Sequence, residues 1–291
     1  PWAFVIPRAQ RDPGSAQKLL ETLAFGSVEI EVATASFEAA GQRFAAGTYV
    51  IQMQQPYSSF AKTLLERQRY PDLREYPGGP PKRPYDVTAH TLPLLMGVEV
   101  HEIDEPFRAQ LEPAEDFRFE ATTASLPGLR SAADIESWHW VTGRWRAGRA
   151  VYRDVDTGDF LPEPVGGRRL RRLREPRLGV YRSWVPAIDE GWTRWVLEQF
   201  GFRYRRLTNP QLQAGNLPNR FDVIVFPDQS PSSLDKGYLP GQMPEQYTGG
   251  IDEKGIAALR EFVERGGRLI FFNRSSPWAV THFQLGLKDL T

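Results

Sequence analysis

FDVIVFPDQS at 221–230 and GGIDEKGIAALREFVERGGRLIFFNRSS at 249–276 decide how this chain is read. Val223 to Phe226 is an unbroken apolar run ending in Pro227-Asp228-Gln229, as in a strand buried on both faces. A helical stretch follows and is closed by Gly266-Gly267. A second apolar run then ends in Asn273-Arg274. Strand, helix and strand make one βαβ crossover, with a polar insert after the first strand. Parallel sheets bind ligands just past the carboxyl ends of their strands. The spacing therefore singles out Asp228, Gln229, Asn273 and Arg274 as candidate binding residues.

Working upstream, Leu178–Tyr181 reads as a strand, 189–200 as a helix and 202–207 as another strand. With the crossover, this predicts a small doubly wound α/β domain over 177–291. Ser183, just past the first of these strands, joins the candidate set. The segment WVPAIDEGWTRW (184–195) places Trp192 and Trp195 three apart on the expected helix, so both rings share a face. Burial of these rings would indicate scaffolding, and their exposure beside the strand ends would indicate sugar or peptide binding.

Residues 1–107 predict a smaller α/β region with β-hairpins. Trp2–Pro7 is a strand, Asp12 caps a helix that begins at Pro13, and 28–33 alternates as a strand. Phe37 to Phe44 forms a hairpin leading to a strand at 47–51, and 57–67 is helical. After a proline-rich loop at 70–85, Asp86 caps a helix running to Leu95, and 98–103 is a strand. GSVEIEVATASF (26–37) and GVEVHEIDEPF (97–107) share an alternating strand, a polar step and a Phe, which reads as a weak internal repeat. Segment 108–176 predicts a β-rich connection and an Arg-rich linker. Trp138, Trp140 and Trp145 suggest two antiparallel strands turning at Gly143 or Gly148, and GGRRLRRLREP (166–176) reads as a solvated linker or helix face.

The 291 residues suffice for two domains, and 36 basic residues against 36 acidic ones leave no electrostatic footprint for nucleic acid. Zero cysteines exclude disulfides, thiolate metal sites and a cysteine nucleophile. No apolar run reaches membrane-spanning length. Beginning at Pro1 rather than Met, the chain reads as a fragment or processed piece.

The chemistry-bearing motifs are sparse. His90, His101, His139 and His282 head no HxxE or HExxH pattern, so no metal site and no catalytic residue is assigned within the chain. No GxSxG elbow and no GxGxxG or GxxxxGK[ST] loop occurs.

AFVIPRAQRDPG (3–14), FEAAGQRFAAGTYVIQMQQPYSSFAKTLLERQRYPD (37–72), YPGGPPKRPYDVTAHTLPLLMGVEV (76–100) and VYRSWVPAIDEGWTRWVLEQFGFRY (180–204) carry a resemblance. They look like the non-catalytic C-terminal region of large bacterial zinc carboxypeptidases of the carboxypeptidase-A superfamily. The resemblance implies that the catalytic zinc and its HxxE and distant His ligands lie in an upstream peptidase domain of the same polypeptide. That domain would be this chain's partner, and the parent would be secreted or periplasmic. No cofactor is implied for the chain itself. Residues 177–291 separately resemble the flavodoxin-like fold of class I glutamine amidotransferases. There the turn after LIFF would present a cysteine, and this chain has Asn273-Arg274 with Ser275 and Ser276 beyond.

Three functional readings follow. The first is an accessory, non-catalytic part of a zinc metallocarboxypeptidase. The second is a small-ligand or carbohydrate-binding amidotransferase-like module without a catalytic nucleophile, lined by Ser183, Asp228, Gln229, Asn273 and Arg274, with Arg274 offering its fork to a carboxylate or phosphate. Against that pocket stands the ordinary role of Asp and Asn after strands, which is to cap the next turn. A third reading makes Ser275 or Ser276 a nucleophile near Asp228 or Glu190.

Overall fold

The computed structural model describes residues 1–82, 90–122 and 126–288. It is a mixed α/β chain divided into two units, one of residues 1–138 with 151–172 and the other of 139–150 with 173–291. Segment 108–176 is thus shared between them.

The first unit is built on a five-stranded sheet in the order His101–Ile103, Ala3–Ile6, Tyr49–Gln52, Glu31–Ala33 and Leu111–Pro113. Each neighbouring pair in it is antiparallel. Strand alternation sends Phe4 and Ile6 to one face and Ala3 and Val5 to the other, and both faces are covered. The helix Pro13–Phe25 lays Leu19, Leu20 and Leu23 on the first face. Its start follows from chemistry at Asp12, which accepts from Ser15 N at 2.9 Å ahead of Pro13 at the first helical position. The hairpin Phe37–Ala39/Gln42–Phe44 covers the second face. The two repeat strands flank the central pair Ala3–Ile6/Tyr49–Gln52 on opposite sides. The phenylalanines that end the repeats, Phe37 and Phe107, stack at 5.3 Å.

Three expectations are corrected here. Glu136–Arg146 is a helix, not a strand pair. Trp138, Val141 and Trp145 recur at three and four, the helical spacing, and Gly143 lies inside the helix while Gly148 (φ 66°) follows its end. Within the first unit Trp138 meets Phe160 edge-on, and within the second Trp145 meets Phe202. The Arg-rich run contains a strand, Leu170–Leu173, beside Val151–Asp154, whose other neighbour is Phe160–Leu161. Arg168 supplies the counterion of buried Asp154 at 2.7 Å, so the run is tied down rather than left as a linker. The helix before His101 is only Leu92–Met96. A cap at Asp86 lies outside the described residues.

The second unit is built on four parallel strands, ordered Tyr204–Leu207, Leu178–Tyr181, Val223–Phe226, Arg268–Phe271. In chain order this is 2-1-3-4, so the chain steps one way from the first strand and then the other. A crevice opens where that direction reverses. One face carries the core: Ile224 and Phe226 pack with Leu259 and Phe262 of the helix Glu253–Glu264 and with Trp278 of the helix Ser275–His282. Asp252 caps the first of these helices, and Gly266 (φ 89°) turns the chain back into the sheet.

The strand Arg268–Phe271 is less buried than its apolar run predicts. It is an edge strand, and Ile270 with the following Phe272 faces outward, half-exposed. On the helix Ile188–Gln199, Trp192 and Trp195 are 59% and 51% exposed.

The insert after Val223–Phe226 closes on itself at a neck only glycine fits. A Cβ on Gly237 would lie 2.1 Å from the Gly249 carbonyl oxygen, and one on Gly250 would lie 2.2 Å from that of Leu234.

Candidate functional site

The strand ends bring all five predicted residues to one end of the parallel sheet, in two clusters joined by the Asp228-Gln229 peptide. Asp228 anchors the first. After Phe271 the chain makes a tight strand-to-helix turn in which Asn273 adopts φ 44°, a left-handed conformation that costs most side chains about 1 kcal/mol or more. Asn is among the residues best suited to it. The turn aims Asn273 Nδ2 at Asp228 Oδ2, 3.0 Å away. Arg274 donates to Asp228 Oδ1 from its backbone N–H at 3.2 Å and from Nε at 2.9 Å.

Asp228 thus receives three hydrogen bonds from one turn. The guanidinium of Arg274, by bonding to it, holds its carboxyl below the usual aspartate range, and burial opposes the shift. Arg274 is shifted upward, first by the same bond, and Asp189 adds to the effect. The ion pair is unequal in exposure, since the Asp228 side chain is 15% accessible and that of Arg274 61%. Arg274 is therefore committed to an internal carboxylate through Nε while its outer edge faces solvent.

The second cluster lines a small hollow of about 110 Å³ between Arg182–Ala187, Glu190 and Gln229. Ser183 Oγ accepts from Val185 N at 3.1 Å, and Gln229 Nε2 donates to Val185 O at 3.1 Å. Both side chains are buried, so much of their polar capacity is used in shaping the loop. Below them Tyr181 donates its hydroxyl to Asn209 Oδ1 at 2.5 Å, and Asn209 Nδ2 donates to Gly249 O at 3.0 Å. Burial pushes the Tyr181 phenol well above its ordinary range, so it acts as a neutral donor.

Reading by strand ends alone leaves out Glu190 as a wall of this hollow. It is buried and held by Arg194 one turn on, at 2.8 Å. The signal available was its place in the first turn of the helix that opens after Ser183, with an arginine at the i+4 position.

The serine-nucleophile reading meets a specific obstacle. Ser275 is fully buried, and its Oγ donates to Phe272 O at 2.7 Å and to Phe226 O at 3.2 Å. Ser276 Oγ donates to Phe271 O at 3.3 Å. Both hydroxyls therefore fasten the turn to the sheet. His282 lies with Asp235, which accepts from its Nε2 at 2.8 Å and from Trp278 Nε1 at 2.6 Å. Elsewhere His101 pairs with Glu99. Among the described residues no three His, Asp or Glu side chains are grouped as a metal site would need, and no helix is long and apolar enough to cross a membrane.

Comparison with known proteins adds no relative: no family model, no curated protein and no solved structure matches the chain.

Proposed function

We propose that this chain is an accessory, non-catalytic part of a bacterial zinc metallocarboxypeptidase, ending in a flavodoxin-like, class I glutamine amidotransferase-like unit. Its partner is the peptidase domain upstream in the same polypeptide, which supplies the zinc, and the parent is secreted or periplasmic. The strand-end site of the last unit binds a small polar ligand or positions a peptide.

One observation supports this reading above the others. The strained turn after Phe271, the place where catalytic members of that fold would present a nucleophile, holds the amide of Asn273 against Asp228. The hydroxyls beside it are bound to main-chain carbonyls. Such a turn offers an amide and the outer edge of a guanidinium, which are groups that recognise oxygen atoms. The 2-1-3-4 parallel order, with its crevice beside Ser183 and Gln229, agrees with the flavodoxin-like assignment.

The purified chain, supplied with zinc and peptides of free C-terminus, should bind no stoichiometric zinc and release no C-terminal residue. Metal-dependent release would overturn the accessory reading.

The carbohydrate-binding alternative has one observation in its favour, the exposed pair Trp192 and Trp195. Their rings meet edge-to-face at 86°, so they form a corner rather than a flat stacking platform. Retardation of the chain in gels containing a soluble polysaccharide, abolished by Trp192→Ala, would favour that alternative.

A further inference from the structure

The second unit carries a further concavity at the opposite end of the sheet. A groove of about 830 Å³ opens at the amino ends of Leu178–Tyr181 and Tyr204–Leu207, among Arg177, Arg203, Arg205 and Arg220. That volume lies in the range of small-molecule sites, roughly 300–1,000 Å³.

The four arginines have different duties. Arg177 is part of the frame: it bonds both oxygens of Asp222, at 3.0 and 2.6 Å, and the carbonyls of Asn219 and Pro218. Arg203 is forked onto Glu175, which also lines the groove. The Arg205 backbone belongs to the strand ladder, and its side chain has no carboxylate or other hydrogen-bond partner among the described residues. Arg220 spends only Nη1, on Gln211 O at 3.1 Å, and lies over the Phe221 ring. Two acids thus stand against four guanidinium groups, and the charge left over belongs to Arg205 and Arg220. Edge strands often carry cations to discourage pairing, and Arg206, next on the same strand, can meet that need from the other face.

We propose that this groove is a second ligand site, independent of the strand-end site, and that it takes a small polyvalent oxyanion bearing phosphate or carboxylate groups, held by Arg205 and Arg220. Guanidinium forks match both groups in geometry, and a neutral ligand would leave the two charges uncompensated. The framing pairs Arg177–Asp222 and Arg203–Glu175 keep the walls set before the ligand arrives.

Isothermal titration of the full chain at low salt tests this with pyrophosphate and with citrate as the probes. Saturable one-to-one binding of pyrophosphate alone identifies a phosphate-bearing ligand, and of citrate alone a polycarboxylate; binding of both supports the shared oxyanion chemistry. Arg205→Ala should weaken the interaction about tenfold, and adding Arg220→Ala should weaken it further. Arg206→Ala removes the same charge from the neighbouring position and should bind as the parent does. Circular dichroism melting confirms that each variant is folded. Binding of neither probe, or equal weakening by Arg205→Ala and Arg206→Ala, would overturn the proposal.

Discussion

Asn273 Nδ2 donates to Asp228 Oδ2 across 3.0 Å, tying the turn after one parallel strand to the loop after its neighbour. Chain connectivity gives these two residues no reason to meet. Parallel pairing of Val223–Phe226 with Arg268–Phe271 does, because in register both strands end at the same level.

Asp228 is the acceptor for every bond in this junction, whereas Arg274 is replaceable in it. Asp228→Ala should therefore lower stability by about 1 kcal/mol, after allowance for solvent screening. Arg274→Ala keeps the bonds from Asn273 and from its own backbone N–H, so it should lower the urea midpoint by less than Asp228→Ala while abolishing binding of any anionic ligand at the strand ends. Equal unfolding midpoints for the two variants would contradict this division of roles.

The left-handed conformation of Asn273 makes a further prediction. Asn273→Gly and Asn273→Ala both lose the amide, but only alanine brings a Cβ to φ 44°. Glycine should be the more stable of the two by about 1 kcal/mol. Denaturation curves of the pair, read against each other, cancel the shared loss of the Asp228 bond.

Ser275→Ala should cost about 1 kcal/mol through the loss of its bonds to Phe272 and Phe226. Any esterase activity in the preparation should persist unchanged in that variant. Loss of such activity with stability intact would restore the serine-nucleophile reading.

The pH dependence has a definite sign. A carboxylate whose folded value is depressed binds its proton more weakly when folded than when unfolded, so its contribution is complete above the unfolded value, about 3.9 for Asp and about 4.3 for Glu. Asp228, Asp222 and Glu175 are all depressed, by Arg274, Arg177 and Arg203 respectively. Stability of the second unit should thus hold through neutral pH, begin to fall near pH 4 and continue downward until the folded values are passed. Asp228→Asn should flatten part of that acid limb in melts taken from pH 6 to pH 2.

The strands and helices of the second unit were legible because local signals agreed there. Val223–Phe226 is apolar throughout, Gly266 closes the helix, and Ile256, Leu259 and Phe262 share one helix face. The Trp138–Trp145 stretch misled because Trp138 and Trp140 alternate like a strand, and only the longer spacing to Val141 and Trp145 reveals the helix. The positions of Ser183, Asp228, Gln229, Asn273 and Arg274 at strand ends were also legible. What Arg274 holds was not, since its partner lies 46 residues away and is fixed by strand register. Nor could spacing reveal the groove around Arg205, because Arg177, Arg203 and Arg220 meet there only once the first two strands of the unit pair.

The glycine neck of the insert has a consequence for how the chain tolerates change. Gly237 and Gly250 set how closely the two ends of the excursion approach, Gly249 N–H donates to Tyr238 O across the neck at 2.8 Å, and residues 239–244 lie beyond that closure. Closure entropy grows only slowly with length, so added or deleted residues at 239–244 should cost little. A protease cut there should likewise leave two fragments that co-purify as one folded body. A single methyl group at either glycine would instead force the ends apart and disturb Gly249, whose carbonyl receives Asn209 beneath the site. The insert is therefore a place where length is free and its two gateposts are not.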